Sequence, residues 1–177
     1  MSHRLKFAAC CLVFPLVACG TTEETAAPDS ETVSPTSTIG RPAETFASSE
    51  VEPAPTTEIN GERVKDPAMD LSYKWQGSSY APGGGSVIVV AVTNQSDAPL
   101  PADALHPTLK YNAGGGEMRT AEALTADAAG VDIVGLDLPL GPGATVNAKY
   151  AFNVSTGNLW DAEFTIGNIT FKGNLNN

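Results

Sequence analysis

From Ala144 onward, apolar and polar residues alternate with a period of two. Ala144, Val146, Ala148, Tyr150, Phe152 and Val154 fall on one parity, and Thr145, Asn147, Lys149, Ala151 and Asn153 on the other. Successive side chains of a strand point to opposite faces, so this spacing predicts a long strand with one buried and one wet side. Trp160, Ala162, Phe164 and Ile166 repeat the pattern against Leu159, Asp161, Glu163 and Thr165, which assigns Trp160 to the core. Gly167-Asn168 suits a two-residue hairpin turn. That register sets Ile166 opposite Ile169 and puts Phe171 on the same apolar face.

The same grammar runs back to about residue 69. LSYKWQ (71–76) predicts an opening strand, and SVIVVAVT (86–93) is β-branched enough for a second. The second follows Pro82-Gly83-Gly84-Gly85 and stops at Asn94-Gln95-Ser96-Asp97, both turn signals. Residues 107–112 and 117–120 flank Gly114-Gly115-Gly116 as a hairpin, and Gly141-Pro142-Gly143 marks a tight turn. The expectation is an all-β, immunoglobulin-like antiparallel β-sandwich over 69–177, with about seven short strands in two sheets.

Upstream of that domain the pattern stops. Residues 20–67 are dominated by Thr, Ser, Pro, Glu and Ala, with Phe46 as the one aromatic. Such a composition buries too little apolar surface to offset its ordering entropy, which predicts a disordered linker over 19–68. A flexible coil of ~50 residues would separate its ends by on the order of 40 Å. A spacer is the simplest use; a docking motif or an O-glycosylated stalk is the sharper one.

The first eighteen residues have a third character. Arg4 and Lys6 precede the apolar run Phe7 to Ala18, roughly 12 residues, against the ~20 a membrane-spanning helix needs. A positive region before a short apolar core predicts a signal peptide over 1–18. It ends in Leu16-Val17-Ala18-Cys19-Gly20, which resembles the lipobox of bacterial lipoproteins. A small residue before the cysteine lets a peptidase reach the bond. The Cys19 thiol is the nucleophile for a diacylglyceryl group, and two acyl chains anchor stably where one does not. The expected location is therefore the extracytoplasmic face of a cell membrane, with membrane lipid as the partner of the acylated N-terminus.

Within the domain, "VIVVAVTNQSDAPL", "GLDLPLGPGATVNAKYAFNVSTG" and "AEFTI" resemble the telokin-like immunoglobulin-like domain of exported actinobacterial and firmicute proteins. They are also similar to the mycobacterial secreted immunogenic-protein superfamily. The shared pattern is a strand ending in Thr-Asn, then a Pro-Gly turn opening a strand with an aromatic-x-Val, across roughly 71–175. A long Ala/Asp-rich connection at 121–130 departs from a compact version of it. The resemblance implies a fold, an exported location and a role in adhesion or binding, and carries no catalytic residues.

Charge and chemistry narrow the function further. A net charge of −10 works against nucleic acid, since phosphate binding needs clustered Lys and Arg. Cys10, Cys11 and Cys19 are the only cysteines, so a chain cut before Cys19 has no internal disulfide and no thiolate zinc site. His106 stands alone after the leader, with no G-x-S-x-G elbow to partner it. Asp127, Asp132 and Asp137 recur at fives without a calcium-loop pattern. Asp161 and Glu163 share a strand face and read as solvated. Tyr73, Trp75, Tyr80, Tyr111 and Trp160 could include a sugar-stacking platform.

No cofactor, metal site or catalytic residue is expected, and no ligand-binding residues are assigned. The leading expectation is a non-enzymatic binding module for a cell-envelope or extracellular protein or glycan, using loops such as 94–106 and 121–130. The alternatives are a small carbohydrate-active hydrolase using Asp132, Asp137 or Asp161, and an ion-binding lipoprotein.

Overall fold

The computed structural model describes residues 44–176. In chain order the strands are β1 (Ala54–Thr56), β2 (Arg63–Lys65), β3 (Leu71–Tyr80), β4 (Ser86–Asn94) and β5 (Thr108–Asn112). They continue as β6 (Met118–Thr120), β7 (Ala123–Leu124), β8 (Thr145–Phe152), β9 (Ala162–Ile166) and β10 (Ile169–Gly173), with a one-turn helix α1 (Ala126–Ala129) after β7. Among the described residues they form two five-stranded sheets, β1-β10-β9-β5-β6 and β2-β3-β4-β8-β7. Within these, β3-β4-β8-β7 faces β10-β9-β5, the strand order of an immunoglobulin-like sandwich. All described pairings are antiparallel except β1 on β10.

The alternating residues meet between the sheets. Ile88, Val90 and Val92 of β4, Ala148, Tyr150 and Phe152 of β8, and Phe164 and Ile166 of β9 are buried. Phe164 is the hub: its ring centroid lies 6.1 Å from Trp75, 6.0 Å from Tyr150 and 6.1 Å from Phe152. Such tilted and edge-on pairs add stabilisation beyond area burial. The β9–β10 hairpin has the expected register, Ile166 opposite Ile169 and Phe164 opposite Phe171. Gly167 takes φ +53 while Asn168 keeps a negative φ, as a type II′ turn requires.

The 121–130 connection is ordered by short-range chemistry. The Thr125 hydroxyl caps α1 by accepting from the Ala128 N–H, and Gly130 closes it in the left-handed conformation. Ala129 then packs with Ala81, Val87 and Ala151 on the face of β4 and β8 turned away from the other sheet. Backbone contact there is close: a Cβ on Gly83 would lie 2.1 Å from the Ala128 carbonyl oxygen.

Two expectations are corrected. The fold does not begin at residue 69: Phe46 is buried in the main core, β1 pairs with β10 and β2 with β3. The composition average over 19–68 missed this, because a three-residue strand added to an existing edge needs backbone hydrogen bonds and one anchoring side chain, not a run of apolar residues. Trp160 is not core but 54% exposed. Residues Thr156–Trp160 form a 3-10 turn, which breaks the two-residue period and buries Leu159 in its place. The alternation also thins at the start of β8, where Val146 is partly exposed.

Phe46→Ala should therefore lower unfolding stability by about 3 kcal/mol, near the low end for a truncated buried phenylalanine. Trp160→Ala should cost less than about 1 kcal/mol. Urea titration of both variants checks the pair; the opposite ranking would refute the placement of both residues.

Candidate functional site

The most connected polar group in the fold lies in the segment expected to be linker. Asp66 is 2% exposed. Its Oδ1 accepts from the Ala68 N–H at 2.9 Å, the Met69 N–H at 2.9 Å and the Asn168 side-chain amide at 2.8 Å. Its Oδ2 accepts from the Asn168 N–H at 2.9 Å and the Tyr73 hydroxyl at 3.2 Å. Burial alone would raise the carboxyl's pKa; the donors from Asn168, Ala68 and Met69 outweigh it and hold it below its ordinary value. Tyr73 is pushed far above the usual phenol range, first by burial and then by the charge of Asp66.

Asn168 passes the connection on. Its side-chain amide also donates to the Ser49 carbonyl at 2.9 Å, its Oδ1 accepts from the Val51 N–H at 2.8 Å, and its backbone carbonyl accepts from the Ala54 N–H at 2.9 Å. The turn has no room for a side chain at Gly167, where a Cβ would come 2.2 Å from the Tyr73 hydroxyl. With all its partners supplied by the chain itself, this centre is a clamp. The Asp66-Pro67 dipeptide was the available signal, since Asp before Pro favours turn initiation and an Asp side chain bonds the backbone two residues on.

The open site lies elsewhere. A cleft of about 360 Å³ runs along the β8 edge, lined chiefly by Leu105, His106, Val134, Leu136, Tyr150 and Phe152. Ala102 and Asp103 from the 94–106 loop and Ala123 from the 121–130 connection also border it, so parts of both expected contact loops converge there. Its volume is in the range of small-molecule sites, as is its largely apolar wall. His106 is exposed on its rim and also borders a second depression of about 310 Å³ beside Ser48, Glu50, Met69 and Asn168. Tyr150 lines the cleft and is 4% exposed. Its hydroxyl has no hydrogen-bond partner among the described residues, and burial raises its pKa.

The carboxylates named from sequence do not gather. Asp132 is exposed and paired with Lys149 at 2.6 Å, and that partner lowers its pKa. Asp161 accepts from the Asn112 side-chain amide at 2.8 Å, Glu163 pairs with Lys172 at 2.6 Å, and Asp127 and Asp137 are exposed. Among the described residues no three His, Cys, Asp or Glu side chains converge on a point where a metal could sit. Of the aromatics, Tyr73 and Trp75 are core, while Tyr80 and Trp160 are exposed. Cys19 lies outside the described residues.

No protein-family model matches the chain, and no match was found among curated proteins or solved structures.

The clamp makes a directional prediction. Because the folded-state pKa of Asp66 is depressed, its stabilisation is complete above the unfolded-state value and is lost as pH falls through the folded-state value. Asp66→Asn should cost about 2–4 kcal/mol at neutral pH, since one carboxylate oxygen becomes an amide facing donors. It should also flatten the acid limb of stability against pH below about pH 4, which chemical denaturation across that range would show.

The two buried tyrosines should separate. Tyr73→Phe removes a donor to a charged acceptor and should cost about 1.5–3 kcal/mol; Tyr150→Phe removes an unmatched hydroxyl and should be neutral or stabilising. Calorimetry of both variants checks this, and a Tyr150→Phe loss as large as that of Tyr73→Phe would refute it.

Proposed function

We propose that this chain is a lipoprotein held at the extracytoplasmic face of a membrane through acylated Cys19. Its sandwich binds a partner there without chemically changing it. The observation that carries the binding reading is that residues of the 102–107 stretch and Ala123 of the 121–130 connection meet at one largely apolar cleft, while Asp132, Asp161 and Glu163 stand apart in separate pairings. Catalysis by general acid and base needs two titratable groups within reach of one bound substrate. Asp132 and Glu163 are engaged in ion pairs and Asp161 in an amide contact instead.

The anchoring reading rests on Leu16-Val17-Ala18-Cys19 behind a positively charged, apolar leader. Among the described residues no helix is long and apolar enough to cross a membrane, and the lipobox would supply the attachment. The resemblance to exported telokin-like domains supports the same assignment.

Feeding cells an alkyne-tagged fatty acid tests the anchor. The native chain should take the label and sediment with membranes, and Cys19→Ala should do neither. A labelled, membrane-bound Cys19→Ala chain would end the anchoring reading. For the domain, combined replacement of Asp132, Asp137 and Asp161 by Asn should leave the thermal transition and in-cell crosslinking to the partner in place, whereas His106→Ala with Asp103→Ala should weaken crosslinking. A hydrolytic activity lost with one carboxylate at unchanged stability would overturn the binding reading.

A further inference from the structure

We propose that the cleft along the β8 edge takes the hydrocarbon chain of a single-chain membrane amphiphile, with the polar head at the rim formed by Asp103 and His106. The source of the ligand rests on the anchoring of Cys19; the cleft itself does not.

The wall sets the ligand's chemistry. Leu105, Pro107, Val134, Leu136 and Phe152 supply apolar surface, and the polar side chains are few. Two residues beyond Leu136 on the same segment, Leu138 is 72% exposed. A ligand that withdraws hydrocarbon from water gains roughly fourfold in affinity per methylene.

A peptide laid down as an added strand fits poorly. Beside the cleft, β8 is already paired with Leu124 at Ala151 and with Gly135 at Lys149, so the stretch of β8 that lines it offers no run of free backbone groups to receive one. At the rim a carboxylate stands with an imidazole, on a chain of net charge −10. That balance disfavours a purely anionic head and suits a zwitterionic or neutral one.

The leash supplies the encounter. Cys19 precedes Glu44, the first described residue, by 25 positions. A chain of that length spans at most roughly 80–90 Å even when fully extended. Glu44 of an anchored molecule therefore stays within that distance of the bilayer, and the cleft is held in the neighbourhood of a membrane, where amphiphiles are concentrated.

The test uses the full chain carrying Cys19→Ala, without detergent. Octyl, decyl and dodecyl phosphocholine, each below its micelle concentration, compete with the fluorophore phenylnaphthylamine. Affinity should rise roughly fifteenfold for each pair of added methylenes until the cleft is full. Ala123→Trp, which fills the cleft from β7, should weaken decyl phosphocholine at least tenfold, and Ala102→Trp should do the same from the connection between β4 and β5. The thermal transition reports whether each variant is folded. This comparison also separates the cleft from the apolar run at 7–18, which both variants retain. Affinity independent of chain length, or unchanged in both folded filling variants, would overturn the proposal while fatty-acid labelling of native Cys19 still stood. Loss of that labelling, with chain-length-dependent displacement intact, would overturn the membrane as the source and leave the site.

Discussion

A carboxylate taken out of water destabilises a protein by several kcal/mol unless its lone pairs are met by donors. Asp66 satisfies that condition only when separate pieces of chain arrive together. The turn at 68–69, Tyr73 on β3 and the 167–168 turn between β9 and β10 all donate to it. Tyr73 belongs to one sheet and the β9–β10 turn to the other, so this one side chain ties the sheets together at that end. A shift of β3 or of the β9–β10 hairpin by one residue would strand the charge, which makes Asp66 a constraint on register as well as a source of stability.

Through Asn168 the same centre decides where the folded unit starts. Three hydrogen bonds with Asn168, one donated and two accepted by it, hold 49–54, and β1 continues in parallel along β10. Phe46 then enters the core. The strap is polar in composition yet fixed in place, because its backbone groups are matched by an edge and a turn that already exist. A pull transmitted from the N-terminal side would reach this strap before it reached the sandwich.

The cleft arises from the way one edge of the sandwich is finished. After two residues of pairing with β8, the chain leaves at Thr125, makes α1 across the outer face and returns to meet β8 at Gly135. That detour needs glycine at Gly83, where α1 comes too close for any side chain. On the other side, the connection from β4 to β5 carries Leu105 and His106 to the opening. The apolar surface between these two connections is a consequence of how the chain closes its edge, and the proposed ligand uses what that closure leaves uncovered.

The alternations around β8 and β9 determined the sandwich, the β9–β10 register and most of its aromatic core, because a two-residue period is a local property of extended chain. Both Gly-rich turns flanking β4 and β5 were legible for the same reason. The resemblance of Leu16-Val17-Ala18-Cys19 to a lipobox, too, is a matter of adjacent residues. Tertiary structure alone decided that 44–68 belongs to the fold, that Asp66 is buried, that Leu159 and not Trp160 faces the core, and that Val134, Leu136 and Tyr150 share a cleft. Each of these depends on groups far apart in the chain: Asp66 and Asn168 meet across 102 positions. A composition window or a periodic pattern reads only neighbours, and a buried charge, a docked strap and a cleft are made by what the fold brings from elsewhere.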